Sequence, residues 1–237
     1  MIVTRDHLLN GLLSFYPLDE GGPSRAEDLR GNRPGTPVGT SVGAGLARRR
    51  ARNFDGSTGY VTAPRPTLGT RYSIFQRVKP SAVDATARIV SSCRIIAAGS
   101  GIQWQITCTS SATTATVRDD AGNIATSPGP ALVANRSALV GLIRNGNSVQ
   151  IVVDNVMATA GTGALGTLTV DSFNIGALVA NTSTRSSFWS GLVSDVGIWN
   201  RPLTQPEVWA LLESPDLLVV ERLRRRRHLG RHRMIFA

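Results

Sequence analysis

Sixteen carboxylates, three histidines and two cysteines are the groups in this 237-residue chain from which acid–base, nucleophilic or metal chemistry would have to be built. Sugar hydrolysis needs two carboxylates held at a fixed separation. The paired acids Asp119 and Asp120 fall in "VRDDAGN", which reads as a turn, where Asp commonly bonds its own backbone. His7, His228 and His232 sit near the chain ends, and neither Cys93 nor Cys108 has a histidine nearby in sequence. No nucleophile and base can be assembled from these groups. The sequence therefore predicts a protein that is not an enzyme.

The other charged chemistry is arginine. The chain carries 25 Arg against a single Lys, Lys79, and a formal charge of +10. Residues 221–237 hold seven of them, Arg222, Arg224, Arg225, Arg226, Arg227, Arg231 and Arg233, for a local net +6, and "ARRRAR" at 47–52 adds +4. The remainder is neutral, so the basic character is two clusters, which argues against a nucleic-acid partner bound over a broad surface. A GC-rich genome, which favours Arg codons, accounts for the Arg-over-Lys bias without any function. Position still matters, because a guanidinium fork binds carboxylate in a way an ammonium cannot. The tail closes with Met234, Ile235 and Phe236. Charge followed by apolar residues predicts an assembly anchor, the guanidinium groups pairing with carboxylates on a neighbouring protein and the apolar end filling a groove or adding a strand.

Around these residues the chain reads as short alternating segments rich in Val, Ile, Thr and aromatics, separated by Gly, Pro, Asn and Ser. Strands are predicted at 12–18, 59–63, 71–79, 88–97, 102–109, 115–119, 137–144, 148–153, 172–176 and 188–199. The Gly-rich "GTPVGTSVGAGLARRR" reads as a loop leading into a strand, since no Gly-Lys-Ser or Gly-Lys-Thr follows to make a phosphate cradle. "RNGN" at 144–147 is the clearest hairpin turn. One helix is predicted at "LTQPEVWALLES", with Thr204 as N-cap, Glu207 three residues on and Pro206 in the first turn. The fold class is all-β: an antiparallel sandwich with one short C-terminal helix and an Arg-rich tail.

Alternation points Cys93 and Cys108 to the core as a reduced pair, the alternative being a Cys93–Cys108 cross-strand disulfide. Trp104, Trp189, Trp199 and Trp209 read as core or helix-packing residues, which leaves no aromatic platform for a sugar. Phe54, Tyr60, Val61, Ile151, Val153, Val196, Ile198 and Trp199 are predicted to be buried in one sandwich. The N-terminus lacks the pattern of a signal peptide, and no stretch approaches the ~20 apolar residues of a membrane helix.

Four stretches, in order, carry a family resemblance: "GLLSFYPLDEG" (11–21), "EDLRGNRPGT" (27–36), "RNFDGSTGYVTAP" (52–64) and "FWSGLVSDVGIWNRPLTQPEVWALL" (188–212). They resemble the opening strand, the following Gly-Asn loop, the Phe-Asp-Gly strand pair and the closing strand and helix of laminin-G-like domains in the concanavalin A-like lectin/glucanase superfamily. The resemblance covers 11–213 and implies a jelly-roll, with residues 1–10 as an N-terminal arm, 11–214 as the sandwich and 215–237 as the tail. Glycosidases of this architecture carry Glu-x-Asp-x-x-Glu on one strand, which this sequence lacks. Relatives often hold a structural calcium near the first and last strands. Asp195 matches the second Asp of the family's Asp-Asp-Val, with Ser194 in place of the first, and Asp19 and Asp28 lie in the opening loops; these are the candidate calcium ligands, and no other cofactor is implied.

Laminin-G-like domains with Arg-rich ends occur in bacteriophage structural proteins. The resemblance then implies a virion component, a capsid decoration or minor capsid protein assembled in the host cytoplasm. Its partners would be capsid or other virion subunits, and copies of itself. The alternative is a carbohydrate-binding adhesin module with a host glycan as ligand.

Overall fold

The structure, a computed structural model, describes residues 3–20, 25–46, 49–64, 66–86, 88–94, 102–168, 172–179, 184–214 and 216–218. Two antiparallel sheets pack face to face. The larger has nine strands, in spatial order Val156–Met157, Ser148–Val153, Ala138–Asn145, Arg71–Pro80, Ser190–Trp199, Arg49–Asp55 and Ser41–Leu46; Leu12–Tyr16 also pairs with Ser190–Trp199, and Gly161–Thr162 with Ser148–Val153. The smaller has seven, Ile124–Gly129, Thr113–Arg118, Ile102–Cys108, Arg88–Arg94, Ser172–Ile175, Tyr60–Ala63 and Thr36–Val38. A separate two-stranded ribbon joins Leu178–Val179 to Arg185–Ser186.

Between the sheets, Phe54, Trp104, Phe173, Trp189, Val196 and Ile198 form part of one continuous apolar core. One polar pair crosses it: Gln76 donates through Nε2 to Ser91 Oγ at 3.0 Å, linking the two sheets. A second apolar cluster lies on the far side of the nine-stranded sheet. Phe15, Phe75, Leu139, Ile143 and Trp199 project outward from the strands and are covered by helix Gln205–Glu213 through Val208 and Leu211, and by the N-terminal helix Arg5–Leu9 through Leu8. Because both faces of this sheet are buried, its central strands lose polar alternation; Ala138–Asn145 is buried at every residue but the last.

The C-terminal helix has the predicted capping box at Thr204 and Glu207 and ends at Ser214. Arg201 fastens the two helices together. It grips both oxygens of Glu207, at 2.9 and 2.6 Å, and donates to the carbonyls of His7 (2.7 Å) and Asn10 (2.8 Å). Trp199 Nε1 donates to Leu8 O at 2.7 Å. The body thus holds the N-terminal helix by its last carbonyls, the groups a helix end leaves without internal partners.

Several expectations need correction. The Gly-rich stretch is an edge strand, Ser41–Leu46, paired with Arg49–Asp55. Thr36–Val38 and Ile124–Gly129 are further strands that the spacing did not reveal. Trp199 is buried, but in the outer cluster, because a register shift between Ser194 and Gly197 re-aims the strand's end. Tyr60 is only half-buried, facing outward beside buried Val61. Trp209 is 44% exposed on the free side of its helix. Cys108 is a free, buried thiol. The ladder pairs it with Arg88 and pairs Cys93 with Trp104. That separates the two backbones by about four residues, roughly 13 Å, against the ~7 Å limit for a disulfide.

Candidate functional site on the outer face of the seven-stranded sheet

Two helices cover the outer face of the nine-stranded sheet across its middle strands, over an apolar cluster. The outer face of the seven-stranded sheet is different in composition. Register places Thr36, Thr62, Asn174, Ser92, Gln105, Thr116 and Thr126 opposite one another in successive strands, a polar row that crosses the whole sheet. Thr62, Asn174, Gln105 and Thr116 each stand between inward neighbours that are buried and apolar, as Thr62 does between Val61 and Ala63, and Thr116 between Ala115 and Val117. None of the seven strands contains Asp or Glu.

The ribbon Leu178–Val179 and Arg185–Ser186 lies over part of this row. Ser92 Oγ donates to Ala177 O at 2.8 Å, and Arg185 Nε donates to Asn174 Oδ1 at 3.3 Å. Asn174 and Ser92 are fully covered as a result. The Arg185 guanidinium stacks over the Tyr60 ring, 5.2 Å from its centroid. Tyr60 is set in place by the loop before it. Asp55 Oδ1 accepts the amides of Ser57, Thr58 and Gly59 at 2.8–2.9 Å, while Oδ2 accepts the hydroxyls of Ser57 and Thr58. Burial works against the Asp55 charge, but these donors outweigh it and hold the carboxyl well below the usual carboxylate range.

The residues proposed from sequence as calcium ligands have other partners. Asp28 accepts four amides, those of Phe15, Arg30 and Gly31 at Oδ1 and of Arg33 at Oδ2. Asp195, in a left-handed conformation with φ 55°, lies 3.7 Å from Arg77 and accepts from Ser194 Oγ. Arg77 in turn donates to the carbonyls of Leu211 and Leu212, capping the C-terminal helix. Asp19 is partly exposed in the loop after the opening strand. Among the described residues, no three His, Cys, Asp or Glu side chains converge as a metal site. Asp119 is likewise saturated, by Gly166 N, Asn123 N and Asn123 Nδ2 at 2.7–2.9 Å. The tail residues Arg222, Arg224, Arg225, Arg226, Arg227, Arg231, Arg233, Met234, Ile235 and Phe236 lie outside the described residues.

The model of the laminin G family within the concanavalin A-like lectin/glucanases superfamily matches residues 55–209, well over half the chain. The protein belongs to the concanavalin A-like lectin/glucanase superfamily. No curated protein matches the sequence. Among solved structures, this superfamily member is similar to domain 4 of AbnA, a GH43 extracellular arabinanase from Geobacillus stearothermophilus in complex with arabinotriose, with a TM-score of 0.63 and 17% identity over 85% of this chain and 98% of that domain. The binding domain of Paraclostridial Mosquitocidal Protein 1 superposes with a TM-score of 0.69 at 10% identity, over 89% of this chain and 52% of that one. The botulinum neurotoxin serotype G binding domain gives 0.65 at 15% identity, over 85% and 50%. The chain thus spans about half of each toxin domain, and at these identities the likeness is one of fold.

Sequence reasoning missed Tyr60, Asn174 and Arg185. Tyr60 is among the residues expected to be buried, and the parity of adjacent strand residues, which sends it outward beside inward Val61, is the signal the sequence offers. Arg185 and Asn174 meet only through the ribbon, which has no local signature.

Proposed function

We propose that the chain is a non-catalytic carbohydrate-binding sandwich that takes a glycan on the outer face of its seven-stranded sheet. The observation that carries this is the contrast between the two outer faces: one covered across its middle by two helices, the other a row of hydroxyl and amide side chains, of which Thr36, Thr62, Gln105, Thr116 and Thr126 remain at least partly accessible, beside a half-buried tyrosine. Hydroxyls, amides and an aromatic edge are the groups that replace a sugar's water shell. The absence of Asp and Glu from all seven strands supports binding without hydrolysis on this face, since neither a nucleophile nor a general acid stands there. The likeness to an arabinanase domain solved with arabinotriose adds support from fold alone.

The reading as a virion protein draws on the Arg-rich end and on the family resemblance, and none of the relatives named above is described as a virion protein, whereas the polar face supports carbohydrate binding. A glycan array with the purified full chain, followed by calorimetry on the hits, tests it. Binding that Tyr60→Ala and Gln105→Ala weaken without changing the melting temperature is the expected result. Retention on no glycan at all would sink the proposal.

A further inference from the structure

We infer that the outer side of helix Gln205–Glu213 is a docking surface for the chain's own arginines at 222–227, with Trp209 and Glu213 as the groups that receive them. Trp209 supplies the aromatic half. Among the described residues it is the one aromatic side chain left exposed, at 44%, and no ring or cation stacks on it. Glu213 supplies the charge. It stands four residues on, which puts its Cβ about 6 Å from that of Trp209 on the same side of the helix. It is exposed and makes no hydrogen bond or ion pair among the described residues.

The helix end points to a cation from outside the helix. The last turn of a helix bears partial negative charge and favours Lys, Arg or His. This one has no basic residue there and ends in Glu213 instead. Residues 205–218 hold Glu207, Glu213 and Asp216 with no Lys, Arg or His to offset them. Glu207 is gripped by Arg201, and Arg77 reaches the carbonyls of Leu211 and Leu212 from the buried side, which leaves the carboxylate of Glu213 uncompensated. An indole beside a carboxylate suits a guanidinium, whose plane lies on the ring and whose fork meets the acid.

The chain carries that partner within reach. Leu217 N donates to Ser214 O at 3.0 Å, which turns the backbone at the helix end, and Leu217 and Leu218 pack in the cluster that holds Val208 and Leu211. Arg222 follows four residues later, about 14 Å of extended chain, and lies with Arg224, Arg225, Arg226 and Arg227 outside the described residues. Alternate residues of an extended segment stand about 7 Å apart on one side, close to the ~6 Å rise between Glu213 and Trp209. A segment running back along the helix therefore brings Arg222 to Glu213 and Arg224 to Trp209.

Acrylamide quenching of tryptophan fluorescence in the full chain tests this, because Trp104, Trp189 and Trp199 are each 1% exposed and a soluble quencher reads Trp209. Trp209 is expected to be shielded at low salt. Replacing Arg222, Arg224, Arg225, Arg226 and Arg227 together by Gln, or Glu213→Gln alone, should raise the quenching about twofold with the melting temperature unchanged. Salt at about 0.5 M should do the same to the unaltered chain. A synthetic peptide of residues 221–237 should restore shielding to the five-Gln variant, and its all-lysine counterpart far less, since an ammonium lacks the planar fork. Equal quenching of the unaltered chain and the five-Gln variant overturns the inference. Shielding that grows with protein concentration, alongside a dimer in sedimentation velocity, overturns the assignment to the same chain and gives the surface to a second copy. Equal rescue by the lysine peptide overturns the guanidinium assignment.

Discussion

Asp119 and Arg144, from opposite sheets, grip the same residue: Gly166 N donates to Asp119 Oδ2 at 2.7 Å, and Gly166 O accepts from Arg144 Nη2 at 2.6 Å. Arg144 is fully buried, stacks 6.0 Å above Tyr72 and also donates to Gly146 O and Leu165 O. One loop is thereby riveted to both layers of the sandwich.

Removing Asp119 deletes charge-assisted hydrogen bonds to Gly166 N, Asn123 N and Asn123 Nδ2. Asp119→Ala should cost about 1–3 kcal/mol in urea unfolding. A double-mutant cycle with Arg144→Met should show coupling of about 0.5–3 kcal/mol, because both side chains act on Gly166. Strict additivity of the two would mean the shared residue transmits nothing.

Acid should expose the same carboxylates. Burial opposes ionisation of Asp119 and Asp55, yet amide and hydroxyl donors hold both below the ordinary carboxylate range. A depressed folded-state value means the stabilisation is complete above the unfolded value, about 3.9, and is lost as pH falls through the folded one. Stability should therefore be level from neutral pH down to about 5 as far as these groups are concerned, then fall below about 4. Asp55→Asn should flatten that fall, and urea midpoints measured from pH 6 to 2.5 would reveal it; identical slopes would argue against the Asp55 loop as the sensor.

In the core, Ile198→Ala should cost about 2–5 kcal/mol, since the residue is 1% exposed between the sheets. A cost under about 0.5 kcal/mol, typical of surface positions, would contradict the register of the closing strand.

At the far side, Arg201→Ala should release the N-terminal helix. It deletes a bidentate contact to Glu207 and two bonds to main-chain carbonyls, and should cost about 1–3 kcal/mol. Limited proteolysis should then cut within residues 3–10 long before the sandwich unfolds. Unchanged cleavage would show that Leu8 and Trp199 Nε1 hold the helix alone.

What the sequence disclosed follows from how locally each feature is encoded. The Arg144–Asn147 turn and the Thr204 capping box rest on three or four adjacent residues, so both were legible. Gln76 and Arg77 sit within a strand for reasons that no local pattern carries: Ser91 lies across the core, and Leu211 and Leu212 are more than 130 residues on. The candidate site was hidden for the same cause. Its polar row takes one residue from each of seven strands, and Tyr60 meets Arg185 through a ribbon drawn from another part of the chain. The strand Ser41–Leu46 was concealed by its glycines, which depress strand propensity while an edge position tolerates them.

Both described ends of the chain settle on the sealed side. Leu8 and Leu218 belong to the one cluster behind the nine-stranded sheet, with the whole thickness of the sandwich between them and the polar row. Held from that side, against a surface, a particle or another domain, the sandwich would turn its polar row outward like a palm.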